Sequence, residues 1–422
     1  MTDHTVTDHT VTDHTVTDHT VTLTDQQSAD QATAAPFATL ADATAPVRMI
    51  LVGAGGMGRH WLNVLAAAED VQLVGLVDLD QKLARRALNE AAQTHPALDS
   101  VVVGASVTDI AATTPADAVV DVTVPVAHHT VNTEALFGGL PVLCEKPIAP
   151  TVDQALSLVA SAEASGQLLM TSQSRRYYNA LAAFREHVAA LGTVGIVTTE
   201  FYKAPHFGGF RETMAQPLLV DMAIHAFDVA RYLLDSDPVS VQCESFNPSW
   251  SWFDGDAAAI ADFEFGGGIR YLFNGSWVSG GLETSWNGSW RASGSAGSAT
   301  WDGESAPRVE LVDGAVGGAG GVGGAGGVSD ASLGDAPEEI AGALAEFIHA
   351  LRTGTVPSGD VHSNILSLAM VEAAVQSAAT GERVQINAVL EDAYGRAVEF
   401  ESRPEVRAVL QSWGSAAAGL SR

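Results

Sequence analysis

Hydrophobic positions between residues 47 and 172 follow two patterns that alternate along the chain. Short runs of mostly branched apolar residues predict buried strands, and they lie at Val47–Val52, Val71–Asp78, Val101–Val103, Ala118–Val122, Pro141–Cys144 and Leu168–Ser172. Apolar residues at helical spacing lie between several of these runs, at Asp80–Ala92, Ala127–Phe137 and Val152–Ser165. Strands that alternate with helices are typical of βαβ units. Residues 46–173 are therefore predicted to form an α/β domain with a doubly wound, mostly parallel sheet.

A different pattern begins at about residue 174. Helices are predicted at Asn179–Leu191, Leu218–Leu234, Glu338–Arg352 and His362–Thr380. Strands are predicted at Ile196–Tyr202, Val239–Phe246, Ala257–Phe265, Ile269–Val278, Ser285–Ala292, Arg308–Val312 and Arg383–Ile386. Most of these strands follow one another without a helix between them, which favours a mostly antiparallel sheet. Residues 174–388 are therefore predicted to form a second domain, of the α+β class.

Three segments show neither pattern. Residues 2–21 are four copies of Thr-Asp-His-Thr-Val within a tail at 1–45. We expect this tail to be disordered, because one Val in five residues cannot build a core, although its evenly spaced His and Asp could bind a metal weakly. Gly314–Val328 is predicted to be a flexible insertion, since it lacks the helix-opening Lys of a phosphate-binding loop. Residues 389–422 are treated as a C-terminal tail.

Composition narrows the classes of function. The 422 residues carry a formal net charge of −29, which argues against nucleic acid or an anionic membrane as a partner. No apolar run approaches the roughly 18 residues of a membrane span, and no signal sequence is visible. The two cysteines, Cys144 and Cys243, provide neither a disulfide framework nor metal-ligand spacing, so no metal site is predicted. We expect a cytoplasmic protein in a reducing compartment.

A glycine motif stands between the first predicted strand and a helix-like segment, where residues 53–58 fit the pattern G-x-G-x-x-G. Glycine allows a tight turn, close approach of the backbone to a pyrophosphate and close helix packing, and the helix N-terminus attracts phosphates. Asp78 ends the next strand, where a carboxylate can accept hydrogen bonds from both ribose hydroxyls. A plain glycine turn is the alternative. We predict NAD rather than NADP, because no Arg immediately follows Asp78. The predicted contacts are Gly53, Gly55, Gly56, Met57, Gly58 and Asp78.

Two polar segments follow later strands of the same sheet, at the ends that line the ligand crevice in such folds. The first is Thr123–His129, although a His at a helix start is more often simply exposed. The second is Glu145–Pro147. Its Lys146 is one of three lysines in the chain, and Arg cannot replace a Lys that exchanges a proton near neutral pH, because the pKa of arginine stays above ~12. We therefore predict a functional Lys146, with a surface salt bridge to Glu145 as the alternative.

Asp221, His225 and Asp228 are predicted to share one face of a helix, because they are four and three residues apart. A His beside a carboxylate can act as a general base whose tautomer and pKa the carboxylate sets. The alternatives are that Asp221 and His225 form a pair on the helix surface without a function, or that they belong to a metal site. Neighbouring apolar residues indicate a partly buried helix, where an unused charged pair is costly, and no third ligand at a fixed spacing is evident.

The order of these motifs resembles the glucose–fructose oxidoreductase / inositol dehydrogenase (Gfo/Idh/MocA) family. The resemblance covers about residues 47–387, and its most specific parts are the Glu-Lys-Pro triplet at 145–147 and the helix with Asp221 and His225. It implies an N-terminal Rossmann domain and a C-terminal open sheet that binds substrate and often mediates homodimers or homotetramers. It also implies hydride transfer between a tightly held nicotinamide cofactor and a sugar, inositol or related polyol.

The resemblance also implies roles for single residues. Lys146 would hydrogen-bond the reacting hydroxyl, His225 would be the acid/base, and Asp221 would orient the substrate and His225. Further cofactor contacts are implied for Thr123, Pro125, His128, Glu145 and Lys146. Weaker substrate-binding candidates are Arg175, Arg176, Tyr177, Lys203 and His206. For the two arginines, a solvated charge or a dimer interface is the alternative.

The chain departs from the family pattern in two places. Thr123–Val126 lacks the Asn or Asp that often follows Thr-Pro in that loop, and Leu140 and Pro141 replace the usual Lys or Arg before the triplet. The main hypothesis is an NAD(P)-dependent dehydrogenase that acts on CH–OH groups. The alternatives are redox-neutral glycoside hydrolysis or elimination with a bound NAD, and a non-catalytic nucleotide-sensing protein of the same fold.

Overall fold

The computed structural model describes residues 35–312, 328–330 and 333–421. Most of the predicted tail 1–45 and of the insertion Gly314–Val328 lies outside the described residues. Residues 35–45 pack against the folded part of the chain, because Phe37 and Leu40 contact its core and the Leu40 N–H donates to the Leu351 carbonyl at 2.9 Å. The expected disorder therefore does not hold for residues 35–45.

The first sheet has six parallel strands in the order β3-β2-β1-β4-β5-β6. Its strands are β1 (Val47–Val52), β2 (Val71–Val77), β3 (Val102–Gly104), β4 (Ala118–Asp121), β5 (Val142–Glu145) and β6 (Leu169–Ser172). Its helices are α1 (Gly56–Ala67), α2 (Gln81–Ala92), α3 (Val107–Ala111), α4 (Pro125–Phe137) and α5 (Val152–Ser165). This order confirms the predicted doubly wound fold, and its reversal between β1 and β4 opens a crevice at the carboxyl ends of the strands.

The second sheet is mixed and mostly antiparallel, as predicted. Its strands are β7 (Val194–Tyr202), β8 (Pro238–Phe246), β9 (Ala258–Phe265), β10 (Arg270–Ser276), β11 (Ser289–Gly294), β12 (Gly297–Trp301), β13 (Arg308–Leu311), β14 (Val328–Asp330) and β15 (Val384–Gln385). Their order is β14-β13-β12-β11-β7-β10-β9-β8-β15, and among these strands the β7–β10 pair is parallel. The helices after β6 are α6 (Asn179–Ala189), α7 (Ile224–Leu234), α8 (Glu339–Thr353) and α9 (Val361–Thr380). Strands β12 and β14 are absent from the sequence prediction.

Helix α7 covers the inner face of the second sheet through an aromatic cluster. The ring of Phe227 lies 4.7 Å from that of Phe263 and 5.4 Å from that of Phe273, both edge-on. The outer face of the same sheet exposes the apolar side chains of Ile196, Ile260 and Leu272. An exposed apolar face is where we expect subunits to meet, and the homodimer or homotetramer stays a prediction.

Later parts of the chain return to the first sheet. Helix α8, which the sequence analysis placed in the second domain, shares a buried cluster with Met49 and Leu51 of β1 through Phe347 and Leu351. The segment 389–422, set apart as a tail, is largely helical: α10 (Ile386–Phe400), α11 (Pro404–Trp413) and α12 (Ala416–Leu420). Helices α10 and α11 pack against α5. Within the described residues, no helix combines the length and apolar character needed to cross a membrane.

Candidate active site

The glycine loop between β1 and α1 is built so closely that two of its residues must be glycine. Gly53 has φ +102°, and a Cβ on it would lie 2.7 Å from the Val122 carbonyl oxygen. A Cβ on Gly58 would lie 2.1 Å from the Gly53 carbonyl oxygen. Such contacts are far inside van der Waals distance, so the loop and α1 can pack this tightly only without side chains at these positions.

The other face of the loop is open. A Cβ on Gly55 or Gly56 would meet no atom within 4 Å, and α1 begins at Gly56 without a side-chain cap. Met57, in the first turn, is partly exposed. The free N–H groups and the positive end of the helix dipole therefore line an open cradle of the kind that binds a pyrophosphate.

Asp78 lies directly after β2 and is fixed to the glycine loop. One carboxylate oxygen accepts the Ala54 N–H at 2.8 Å, and the other accepts the Asp80 N–H at 2.8 Å. The next residue, Leu79, is 94% exposed, so this position offers no cation to a 2′-phosphate. The Asp78 carboxylate is therefore held beside the glycine loop at the carboxyl end of β2, the position that the sequence analysis predicts for a contact with the ribose.

Thr123 and Pro125 lie where β4 leads into α4, at the same edge of the sheet. Thr123 donates its hydroxyl to an Asp121 carboxylate oxygen at 2.7 Å, and Pro125 is the first residue of α4. The side chain of Val124 between them is 59% exposed. This short loop therefore forms part of the wall of the crevice opposite Asp78.

His128 and Glu145 lie behind the crevice, which corrects the expectation that both contact a cofactor directly. His128 is completely buried, and its ring nitrogens face the Pro147 carbonyl at 2.8 Å and the Thr123 carbonyl at 3.1 Å. Glu145 is also buried and accepts the Trp61 indole N–H at 2.8 Å. Because both ring nitrogens of His128 are engaged inside the protein, its side chain braces the two crevice loops instead.

Lys146 joins the two domains at the crevice. Its Nζ donates to the Asp221 carbonyl at 3.0 Å and lies 3.5 Å from the Asp221 carboxylate. The second carboxylate oxygen of Asp221 accepts the Arg211 Nε–H at 2.6 Å. Burial acts to raise the pKa of Asp221, but Lys146 and Arg211 outweigh it and hold this pKa below its usual range. Asp221 therefore stays ionised and fixes the direction of both cations.

His225 lies one turn after Asp221 along the same helical segment, which changes from a π-helical turn at Leu218–Ala223 to α7. Its Nδ1 atom is buried and has no hydrogen-bond partner within the described residues, and Asp221 does not bond to it. Burial, then the charges of Lys146 and Arg175, lower the pKa of His225 well below 6.5. Asp221 therefore makes no hydrogen bond to His225, contrary to the expectation that it orients this ring, and burial together with the two cations lowers the pKa of His225.

A small cavity extends from His225 into the second domain. It measures about 10 Å³, which is room for about one water molecule. His225 shares its lining with Arg175, Trp286 and Asn287, and the Arg175 guanidinium donates to the Asn287 side-chain oxygen. The site therefore contains His225 as a proton acceptor and the paired charges of Lys146 and Asp221, which join the two domains. It also contains two guanidinium groups, those of Arg211 and Arg175.

Comparison with known proteins agrees with this arrangement. A model of the oxidoreductase family with an NAD-binding Rossmann fold, GFO_IDH_MocA, matches residues 47–173. The model of the GFO/IDH/MocA C-terminal domain matches residues 183–300. The chain belongs to the Gfo/Idh/MocA family of oxidoreductases. It is an NAD-dependent oxidoreductase, and the open cradle at Gly55 and Gly56 fits the pyrophosphate of that cofactor.

Several Gfo/Idh/MocA relatives have named activities. Inositol 2-dehydrogenase 1 of Saccharopolyspora erythraea is 30% identical over 46% of this chain and 56% of its own length. The 1,5-anhydro-D-fructose reductase of Ensifer adhaerens is 26% identical over 80% of this chain and 97% of its own. An oxidoreductase from Agrobacterium radiobacter, solved with NAD+, L-tartaric acid and magnesium, has a TM-score of 0.70 at 20% identity, covering 82% of this chain and 100% of that one; this likeness shows the fold.

Arg176 and Tyr177, two substrate-binding candidates from the family resemblance, serve the framework of this Gfo/Idh/MocA protein. Arg176 donates through Nε and Nη2 to both carboxylate oxygens of Asp228, each at 2.7 Å, and both side chains are buried. The Tyr177 hydroxyl donates to Glu346 on α8. These contacts correct the expectation for both residues, and they place Asp228 in the interior rather than beside His225.

Lys203 and His206 lie at the rim of the site, in the loop after β7. Lys203 pairs with Glu283 at 3.1 Å, and its Nζ lies 5.3 Å from the centre of the Trp286 ring. His206 is exposed and stacks on Trp252, with the ring centres 3.9 Å apart. Lys203 thus joins the residues around His225 through Trp286, whereas His206 stays a peripheral candidate.

Three possible metal ligands lie together behind the crevice. Asp121, His128 and Cys144 bring one possible ligand atom each within 4.8 Å of one another. Both His128 nitrogens lie within hydrogen-bond distance of backbone carbonyl oxygens. Burial, then the charge of Asp121, raise the pKa of the Cys144 thiol well above its usual value.

Sequence reasoning missed three residues of the site: Arg211, Trp286 and Asn287. Arg211 lies in the short 3-10 helix Gly209–Thr213, ten residues before Asp221, and no motif marks it. Trp286 and Asn287 fall inside the predicted strand Ser285–Ala292, whereas β11 begins only at Ser289. A signal for Arg211 existed in the scarcity of basic residues, 21 in the whole chain.

Proposed function

We propose that this chain oxidises a hydroxyl group of a sugar, inositol or related polyol, with NAD preferred over NADP. The observation that carries the proposal is the contact of Lys146, at the carboxyl end of β5, with Asp221, one turn from His225. Residues from both domains thereby meet over the crevice whose other edge carries the glycine loop and Asp78. The names of the relatives, inositol 2-dehydrogenase and 1,5-anhydro-D-fructose reductase, support the substrate class.

The residues divide the chemistry between them. Oxidation of an alcohol removes a proton from oxygen and a hydride from carbon, and the hydride chemistry is supplied by the nicotinamide of NAD when it is bound. Lys146 donates a hydrogen bond to the reacting oxygen and stabilises the negative charge that develops on it. A ring nitrogen of His225 accepts the hydroxyl proton, since its lowered pKa keeps the imidazole neutral at neutral pH.

Asp221 acts through its neighbours. Its carboxylate holds the Lys146 ammonium at 3.5 Å and the Arg211 guanidinium at 2.6 Å, so both cations stay directed at the space in front of His225. Fixed charges of this kind stabilise a developing oxyanion without reorganisation during the reaction. Asp221 is therefore a positioning residue in this proposal.

Cofactor preference follows from Asp78 and Leu79. A carboxylate with no neighbouring Arg favours the ribose hydroxyls of NAD over a 2′-phosphate. We expect the double change Asp78→Ala/Leu79→Arg to shift the ratio of kcat/KM values from NAD toward NADP. Gln72→Ala is the control, because Gln72 is an exposed position at the other end of β2, and it should leave the ratio unaltered. An unchanged ratio in the double variant would contradict the role of Asp78.

Absorbance of the nicotinamide tests the reaction itself. It is followed with the purified protein, NAD or NADP, and a panel of sugars, cyclitols and sugar acids. Reduction of NAD with at least one polyol is the expected result. Cofactor binding without reduction by any of them would overturn the proposed reaction, and product analysis would then separate redox-neutral chemistry from a nucleotide sensor.

A further inference from the structure

Positive charge is concentrated around His225 although the chain as a whole is strongly acidic. The full sequence has 21 Lys and Arg against 50 Asp and Glu. Four basic side chains lie in this part of the crevice, Lys146, Arg175, Lys203 and Arg211, and the carboxylates of Asp221, Glu283 and Glu339 act on them. The four cations exceed the three carboxylates by one, so the set carries a net charge of +1. An acidic protein that gathers cations at one place creates a local attraction for anions there.

Arg175 is the member of this set whose charge has no carboxylate partner. Its guanidinium has two neutral hydrogen-bond partners, the side-chain oxygen of Asn287 and Tyr178, and no carboxylate of the described residues lies within ion-pair distance of it. Glu339 acts on Arg175 from farther away and accepts the Tyr178 hydroxyl. Burial outweighs the influence of Tyr178 and Glu339 and lowers the pKa of Arg175, so a ligand that brings an anion into direct contact would stabilise the guanidinium.

Asn287 holds the guanidinium in place without neutralising it. The Nδ2 of Asn287 donates to the Gly303 carbonyl at 2.8 Å, and its backbone N–H donates to the Ser285 hydroxyl at 3.0 Å. The amide oxygen is therefore fixed toward Arg175. Neutral partners leave the positive charge in place, and the N–H groups that Asn287 and Tyr178 do not engage can bind a ligand.

The position of Arg175 says which part of a substrate it would meet. Arg175 and His225 line the same cavity, with Trp286 beside them. That cavity measures about 10 Å³, about the room of one water molecule, so it admits no more than one small group of a ligand. Trp286 is 41% exposed, so its ring can lie against the apolar face of a sugar ring.

We propose that Arg175 binds a carboxylate of the substrate, and that the substrate is an acidic sugar such as a uronic acid. This inference rests on the proposed hydride transfer at the same site. The reacting hydroxyl lies between Lys146 and His225, and the carboxylate lies against Arg175, oriented by Asn287. Lys203 and Arg211 are already paired with Glu283 and Asp221, so Arg175 sets the preference for an acid.

Matched substrates test the proposal. With NAD, kcat/KM is measured for glucose, glucuronate and glucose 6-phosphate, and for galactose and galacturonate. We expect the uronic acid to exceed its neutral sugar by about 10- to 100-fold, the effect of one charge-assisted hydrogen bond. Arg175→Gln should reduce that preference to less than about threefold, and Arg175→Lys should restore part of it. Arg185→Gln is the matched control, because it removes the same charge from an exposed arginine.

Each result decides between the proposals. Equal kcat/KM for neutral and acidic sugars in the unaltered enzyme would overturn the carboxylate site and leave the hydride transfer intact, and preference for glucose 6-phosphate would also overturn it. Where no sugar is oxidised, the proposed reaction fails, and calorimetric titration of the NADH-loaded protein with glucuronate and glucose still decides. Binding of glucuronate alone, lost in Arg175→Gln, supports the site, whereas no preference for glucuronate overturns it.

Discussion

Arg175 and Arg176 are neighbours in the chain, yet their surroundings differ completely. Arg176 makes two 2.7 Å hydrogen bonds to Asp228, whose carboxylate also accepts the Ser367 hydroxyl at 2.7 Å. Arg175 faces a cavity, and its hydrogen-bond partners are the neutral side chains of Asn287 and Tyr178. The first network satisfies its charges within the protein, and the second leaves one unsatisfied. Complete pairing indicates a role in the framework, whereas incomplete pairing beside a cavity indicates a place kept for a ligand.

The largest effect is expected at His225, which belongs with Arg175 in the incompletely paired region. His225→Gln keeps a polar side chain of similar size but cannot accept a proton, so kcat for polyol oxidation should fall by about 100- to 10,000-fold. The melting temperature should change little, because the buried Nδ1 atom has no hydrogen bond to lose. Steady-state kinetics and thermal unfolding measure the two quantities.

A matched control and a pH profile sharpen this expectation. His349→Gln alters an exposed histidine on α8 and should leave kcat unchanged. Because the pKa of His225 lies well below 6.5, its neutral form persists at neutral pH, and kcat/KM for oxidation should decline only as the pH falls below 6.5. Retention of kcat within about threefold in His225→Gln would remove His225 from the chemistry.

The next effect concerns stability at the paired arginine. Arg176→Met leaves the Asp228 carboxylate buried at 1% exposure, and we expect a loss of about 3–5 kcal/mol in the free energy of unfolding. Arg175→Met, one residue away, should change it by no more than about 1 kcal/mol, the value of one ordinary hydrogen bond. Urea unfolding followed by tryptophan fluorescence measures both. Equal losses of unfolding free energy in the two variants would show that Arg175 and Arg176 do not differ in their contribution to the framework.

The sequence predicted the fold class and the motif residues because both depend on local patterns. Alternating strands and helices determine a doubly wound sheet, and the carboxyl ends of its strands bring Gly53, Asp78 and Lys146 together whatever the rest of the chain does. The difference between Arg175 and Arg176 has no such pattern. Both belong to the 3-10 turn Ser174–Tyr177, whose successive side chains point in different directions.

Contacts between residues that are distant in sequence could not be predicted from local patterns either. Helical periodicity predicted α8 but not the surface that it covers, which is the first sheet rather than the second. Arg211 contacts Asp221 because a loop without a motif folds back over the crevice. Sequence patterns report which face of an element is apolar, and tertiary contacts decide what that face meets.

The pKa of His362 is raised, whereas that of His225 is lowered. Substitution of His362 has the smallest effect that we expect. Its Nδ1 lies 3.0 Å from Asp360 and its Nε2 lies 3.2 Å from Glu163. Burial acts to lower its pKa, but the hydrogen bonds and charges of Asp360 and Glu163 outweigh burial and raise the pKa to about 9. The imidazolium therefore joins α9 to α5, whose Glu163 also accepts the Trp413 indole N–H at 3.2 Å.

A pKa raised on folding stabilises the protein only while the histidine is protonated. The contribution of His362 should be complete below pH 6.5, the value of an ordinary histidine, and should be lost as the pH rises through about 9. Its size is on the order of 2–3 kcal/mol. The difference in free energy of unfolding between the unaltered protein and His362→Gln should therefore shrink by about this amount between pH 6 and pH 10. Since both proteins share every other titrating group, a difference independent of pH would show that folding does not raise the pKa of His362, and its pairing with Asp360 and Glu163 would then not stabilise the imidazolium.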